Sequence, residues 1–208
     1  MARGYWVVRL DVTDMDTYMA RYFAAAAPVI ERFGGRFLVL GGAFEAPEPP
    51  ARNRQVVVEF ADYDTALACW NDPAFQAAFA ERQKVAHGEH LVIEGYEGGQ
   101  PAAGVIDRPA TGPGTAYWIL RIDVRDTEAY KAYVSADALA FQKYRGWYLV
   151  RGGRHAAVEG HARSRNVVVA FPDYATALAC YRSPEYQNAL AFRKIASEGE
   201  VVIARGAE

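Results

Sequence analysis

Cysteine is nearly absent from this 208-residue chain, with Cys69 and Cys180 its only two. A disulfide framework or a zinc site needs more thiols at closer spacing, so neither is expected. Each cysteine lies in an alanine-rich stretch that reads as helix, where a thiol serves as a small apolar core group. Long apolar runs are missing too: nothing approaches the roughly 20 residues of a membrane span. Met1-Ala2-Arg3-Gly4 leads straight into a strand pattern, without the apolar segment of a secretory signal. A cytoplasmic protein with no membrane partner is expected. An excess of positive charge is also lacking, because 23 Lys and Arg against 25 Asp and Glu leave a net charge of −2. Nucleic acid, whose phosphates require a basic patch, is therefore not an expected partner. P-loop, dinucleotide-binding, nucleophile-elbow and zinc signatures are missing, which argues against nucleotide-dependent chemistry and serine hydrolysis.

What the chain does contain is one unit written twice. Residues 5–22 match 117–134 at an offset of 112 with 8 of 18 positions identical, and 52–79 match 163–190 at 111 with 16 of 28. One residue is therefore missing from the second copy between the first helix and the following strands. The division is a first repeat over 1–96, a Gly/Pro-rich linker over 97–115 and a second repeat over 116–208.

Each copy reads as strand, helix, strand, strand, helix, strand. "YWVVRLDV" alternates on a period of two and ends at Asp14, a helix N-cap, as Asp126 is in the second copy. Met15, Tyr18, Tyr22, Val29 and Phe33 share one helix face, and Gly34-Gly35 stops that helix. "RFLVLGG" and "RQVVVEF" read as strands joined by a Pro-rich excursion at 43–53. A helical stretch over 62–86 breaks at Asp72-Pro73, and "EHLVIEGY" closes the unit. This order is the ferredoxin-like βαββαβ motif, an α+β fold.

Over "YWVVRLDV…DMDTYMARY…FGGRFLVLGG…DYDTALACWNDPAFQ…ER" the chain resembles the domain-of-unknown-function family 1330, part of the dimeric α+β barrel superfamily. The resemblance covers nearly the whole chain, once per copy. It implies two ferredoxin-like repeats packed sheet to sheet as an intramolecular pseudo-dimer, with further homo-oligomerisation open. The superfamily spans cofactor-free oxygenases, isomerases, cyclases, haem proteins and simple binders, so the fold alone selects no chemistry. The family's Glu-Gly before the third strand is kept as Glu159-Gly160, whereas the first copy reads Glu48-Pro49-Pro50.

Charged residues on the first strand raise their own question. Trp6, Val8, Leu10 and Val12 share one face, while Tyr5, Val7, Arg9 and Asp11 share the other. Arg9 with Asp11, and Arg121 with Asp123, read either as ion pairs on a covered face or as the lining of a cavity. Polar residues differ between the copies. Glu59 becomes Ala170, which would free Arg121 for an anionic ligand, Leu40 becomes Arg151, and Ala25 becomes Asp137.

Asp137, one turn from Tyr133 and two from Tyr130, is a candidate general base, with Tyr130 and Glu159 as further catalytic candidates. Arg121, Arg151, His155, Arg163 and Arg165 are the candidate ligand-binding residues. Arg52 and Arg54 repeat the last two in the first copy. His87, His90, His155 and His161 have no histidine counterparts between copies. H-x-x-H at His87 and H…E…H over 155–161 could ligate a metal, but neither spacing is a specific signature and surface histidines are the commoner explanation, so no metal is expected. The expected function is acid–base chemistry on a small polar or anionic metabolite without an organic cofactor: isomerisation, cyclisation or cofactor-free oxygenation. The alternative is a non-catalytic ligand-binding or structural module.

Overall fold

The computed structural model describes residues 2–101 and 111–208, so the centre of the linker expected at 97–115 lies outside the described residues. The first repeat contributes β1 (Gly4–Val12), α1 (Met15–Thr17), a π-helical turn (Tyr18–Phe23), α2 (Ala24–Arg32), β2 (Arg36–Leu40), β3 (Phe44–Glu48), β4 (Arg54–Phe60), α3 (Tyr63–Asn71), α4 (Pro73–Arg82) and β5 (Ala86–Glu94). The second contributes β6 (Ala116–Val124), α5 (Thr127–Lys143), β7 (Trp147–Arg151), β8 (His155–Glu159), β9 (Arg165–Phe171), α6 (Tyr174–Arg182), α7 (Pro184–Ala196) and β10 (Ser197–Arg205). The class is α+β, as the patterning predicts.

Helix boundaries follow local chemistry. Asp14 and Asp126 cap the first helix of each copy by accepting from Thr17 N at 2.9 Å and Ala129 N at 3.0 Å. Asp72 ends α3 in an extended conformation and caps α4, with Pro73 in the first turn where its missing N–H costs nothing. The helix expected to reach residue 86 stops at Arg82, because β5 begins at Ala86, opposite Val12. Gly88 then lies so near β1 that a Cβ would stand 1.9 Å from the Arg9 carbonyl oxygen.

The one-residue difference between the copies also has a structural form. Met15 to Arg32 is one residue longer than Thr127 to Lys143, and the surplus is absorbed as the π turn, while α5 is α-helical throughout. Beyond that turn the two helices correspond at an offset of 111. Tyr22 lies 5.4 Å from the Arg82 guanidinium as Tyr133 lies 5.6 Å from Arg193.

The main departure from the expected topology is in the excursion. Residues 43–53 carry a strand, β3, and its counterpart β8 follows in the second copy, so each sheet has five strands and not four. Neither strand joins its own repeat. The first sheet has the order β2-β4-β1-β5-β8 and the second β3-β10-β6-β9-β7. The compact units follow this exchange: Met1–Gly41, Arg52–Tyr96 and Gly153–Ala162 form the first, and Gly42–Ala51, Glu97–Gly152 and Arg163–Glu208 the second.

Within the first unit Trp6 is 1% exposed and its ring meets Phe75 at 4.8 Å and Phe60 at 5.0 Å. Its indole nitrogen donates to the Ala66 carbonyl at 3.0 Å, tying β1 to α3. In the second unit Trp118 donates to the Ala177 carbonyl at 3.1 Å in the same way. Burial of each such side chain contributes about 2–3 kcal/mol, so the apolar face of the central strand anchors both cores.

Candidate functional site

Strand alternation turns Leu120, Ile122 and Val167 toward α5, and α5 returns Tyr130, Tyr133 and Asp137 to the sheet. Tyr148 and Arg151 of β7 and Arg165 at the start of β9 close the space. The result is a narrow cleft, partly open to solvent and with room for about one water molecule, with an apolar floor and a polar rim.

Asp137 is its chemical centre. The side chain is 3% exposed. Tyr148 donates its hydroxyl to Oδ2 at 3.2 Å, whereas Oδ1 accepts no hydrogen bond from the described residues. Burial pushes the carboxyl up to about 7, against the opposing pull of Arg151, the Tyr148 and Tyr133 hydroxyls, and Arg165. Near neutral pH the group therefore exchanges a proton readily. Arg151 packs over the Tyr148 ring at 4.4 Å and Arg165 over the Tyr130 ring at 5.6 Å. Burial raises the Tyr130 hydroxyl to about 12, so it stays protonated and able to donate.

The first unit has a pocket at the same place with different chemistry. Matching sheet registers (Phe37 opposite Val58 and Tyr148 opposite Val169; Leu40 opposite Val56 and Arg151 opposite Val167) make Phe37 and Leu40 the counterparts of Tyr148 and Arg151. The π turn makes Ala26, not Ala25, the counterpart of Asp137. Three polar groups thus face one pocket and three apolar groups the other.

A second constellation arises from the strand exchange. Glu159 pairs with Arg82, which is wholly buried, and Glu48 pairs with Arg193, 1% exposed. Glu48 stands opposite Val201 on β10, and Glu159 opposite His90 on β5. Glu48, though followed by Pro49 and Pro50, therefore makes the same pair as its counterpart Glu159. Gly160 has φ +66, and a Cβ there would fall 2.6 Å from the Gly88 carbonyl oxygen, so the family's Glu-Gly serves the exchanged strand.

Of the residues read from the sequence as a site, Asp137, Tyr130, Arg151 and Arg165 come together in the second unit. Four do not. Glu159 belongs to the first unit. His155 is exposed at the start of β8, its Nδ1 lying 3.0 Å from the Gly153 carbonyl oxygen. Arg163 is held between Asp123 and Glu200 at 2.7 Å each, as Arg52 is between Asp11 at 2.5 Å and Glu89 at 2.8 Å. These arginines clamp the ends of neighbouring strands, and Asp11 and Asp123 pair with them.

Arg121 leaves β6 on the face opposite Leu120 and Ile122 and lies 3.6 Å from Glu200. Loss of Glu59 does not release it. In the first unit Glu59 accepts from Tyr5 at 2.8 Å and Arg36 at 2.9 Å. Sequence reasoning missed Tyr148 as a pocket residue and Arg82 and Arg193 as buried cations. The Phe37-to-Tyr148 difference, beside Leu40-to-Arg151, was the available signal for the first.

Two five-stranded antiparallel sheets, each carrying its own helices, make a duplicated α+β fold. The chain belongs to the family "Domain of unknown function (DUF1330)", whose profile matches residues 3–96 and 115–207. No curated protein sequence matches it. Among solved structures it is similar to an anthrone oxidase-like protein at 8% identity, covering 100% of this chain and 92% of that one with a TM-score of 0.57. A proposed monooxygenase of Fusobacterium nucleatum matches at 14% identity, with coverage of 100% and 93% and a TM-score of 0.55. A mutant chlorite dismutase from Candidatus Nitrospira defluvii matches at 9%, with coverage of 99% and 92% and a TM-score of 0.54. At these identities the likeness establishes the fold. Among the described residues no helix is long and apolar enough to cross a membrane.

Proposed function

We propose that the second unit catalyses proton transfer on a small anionic metabolite, without an organic cofactor, using Asp137 as acid–base group. The observation that carries this reading is the Asp137 carboxyl, 3% exposed with one oxygen accepting no hydrogen bond from the described residues, in a cleft rimmed by Arg151 and Arg165. Deprotonated Asp137 would take a proton from a carbon next to a carbonyl, forming carboxyl O–H as the C–H electron pair moves into an enolate. The enolate charge would be met by the two guanidiniums and the Tyr130 hydroxyl, while Tyr148 holds the Asp137 carboxyl. Return of the proton to another carbon completes an isomerisation. Attack of the enolate on an internal electrophile completes a cyclisation, and attack on dioxygen a cofactor-free oxygenation. The oxidase-like and monooxygenase names of two structural neighbours agree with that last branch without selecting it.

The test does not require the natural substrate. Small enolisable keto acids would be incubated with the protein in deuterated buffer and loss of their α-protons followed by proton NMR. The wild type is expected to accelerate exchange for part of the panel, and Asp137→Asn to remove at least 100-fold of the acceleration. Uniform inactivity of the wild type, or exchange unaffected in Asp137→Asn, would overturn the reading and leave a binding module.

A further inference from the structure

Added hydroxyls accompany Asp137 in the core of the second unit. Besides Tyr148 in place of Phe37, this unit has Tyr186 where the first has Phe75 and Tyr181 where the first has Trp70. Packing confirms the correspondence: the Phe75 ring lies 4.8 Å from Trp6, and the Tyr186 ring 4.7 Å from Trp118. The Tyr181 hydroxyl has a use of its own, donating to Glu48 at 3.1 Å. That of Tyr186 is wholly buried and completes no hydrogen bond to a described residue. A core does not keep such a group without cost, and Phe75 fills the same place without one.

The neighbour that accounts for it is Tyr133. One turn before Asp137 on α5, Tyr133 brings its hydroxyl within reach of the Asp137 carboxyl on one side and the Tyr186 hydroxyl on the other. In the first unit its counterpart Tyr22 accepts instead from the Arg82 guanidinium. The same tyrosine thus serves a different partner in each unit.

We propose that Tyr133 positions the Asp137 carboxylate by donating its hydroxyl to it, and that Tyr186 strengthens this bond by donating to Tyr133. The inference rests on the reading of Asp137 as the acid–base group and concerns what sets its readiness to ionise. An ionised carboxyl can only accept, so the single Tyr133 proton goes to it. The Tyr133 oxygen is then free to accept from Tyr186. A hydroxyl that receives a hydrogen bond donates a stronger one, so the two together favour the charged carboxylate more than Tyr133 does alone. The other groups around the carboxyl are Tyr130 on its own helix, Tyr148 and Arg151 on β7, Arg165 on β9 and Cys180 on α6. Substitutions of Tyr133 and Tyr186 leave all of these unchanged.

The carboxyl can be followed without any substrate. In the full chain carrying 13C at the aspartate side-chain carboxyls, the Asp137 signal would be assigned by its loss in Asp137→Asn and titrated from pH 4 to 10. Tyr133→Phe is expected to move its midpoint upward by about one pH unit. Tyr186→Phe is expected to move it upward by roughly half as much. The double variant is expected to go no further than Tyr133→Phe alone, because Tyr186 acts through Tyr133. An unmoved or lowered midpoint in either single variant would overturn the proposal. So would a double variant whose rise is the sum of the two. Phe75 shows that this core closes around a phenylalanine at the place of Tyr186, and Tyr186→Phe is read against the wild type, so the test stands even where Tyr133→Phe disturbs folding. The expected midpoints in a protein that exchanges no keto-acid proton would sink the proposed reaction and leave this inference standing.

Discussion

Arg82 and Glu159 are 77 positions apart, in different repeats, and form a single ion pair in which the arginine is wholly buried. Glu159 is the carboxylate that makes burial of that guanidinium tolerable, and it arrives on an exchanged strand. Removing it strands a buried cation, which costs about 3–5 kcal/mol, whereas replacing both partners by apolar groups is far milder. Glu159→Ala is expected to destabilise the protein by about 3 kcal/mol in urea unfolding, and Arg82→Met with Glu159→Ala to recover most of that loss. Equal destabilisation of the single and double variants would show that Arg82 is not strained by losing its partner.

The same exchange predicts how an isolated repeat behaves. A fragment of residues 1–100 lacks β8, so the β5 edge, where Leu91 faces Ala157 and Val92 faces Ala156, is left unpaired. It also leaves Arg82 without Glu159. The fragment is expected to self-associate in size-exclusion chromatography and to lack a cooperative unfolding transition. Appending residues 153–162 through a flexible Gly/Ser linker is expected to restore both. A soluble, cooperatively folded 1–100 monomer would show that the exchanged strand is dispensable.

The repeat, the α+β class and most helix and strand positions were legible because they depend on local signals: period-two alternation in "YWVVRLDV", the caps at Asp14 and Asp126, and the break at Asp72-Pro73. The exchange was not, because "FEAPE" and "HAAVE" are short and weakly patterned, and nothing local says which sheet an edge strand will join. The candidate site was half legible for the same reason. Asp137 and Arg151 stood out as differences between copies, but Arg121, Arg163 and Glu159 were grouped with them by sequence equivalence. Strand alternation and the exchanged β8 decide otherwise. Arg82 and Arg193 carried no signal, since an arginine on a helix normally reads as solvent-exposed.

Asp137 gives a pH prediction with a definite sign. Its folded value, about 7, lies above the ordinary 3.8 that the unfolded chain restores. Between those values the folded state holds a proton that the unfolded state has released. Stability from this group is therefore fully present below about pH 4 and lost as pH rises through 7. Asp137→Asn cannot ionise and is spared that loss. Its stability relative to the wild type is expected to rise by about 3 kcal/mol between pH 4 and 8, read from urea midpoints. A difference independent of pH would mean that the carboxyl titrates normally.

His90 contributes a slope of the opposite sign. The imidazole is wholly buried on β5, its ring 4.6 Å from both Trp6 and Trp70, with neither nitrogen hydrogen-bonded to a described residue. Burial, and secondarily the Arg82 charge, hold it well below 6.5, so it stays neutral when folded. The unfolded chain takes up a proton below pH 6.5 that the folded chain refuses, and stability falls as pH drops through that range. The slope approaches 1.4 kcal/mol per pH unit. The second repeat has Val201 at this place, opposite Glu48 as His90 is opposite Glu159, which makes His90→Val the natural replacement. Between pH 4.5 and 6.5 the Asp137 and His90 slopes cancel in part, and the wild type should show a shallow profile. Asp137→Asn is expected to uncover a fall in stability on acidification, and His90→Val a rise. The double variant should be nearly flat in this window. Profiles of the two single variants that tilt the same way would refute the assignment of these slopes to these two residues.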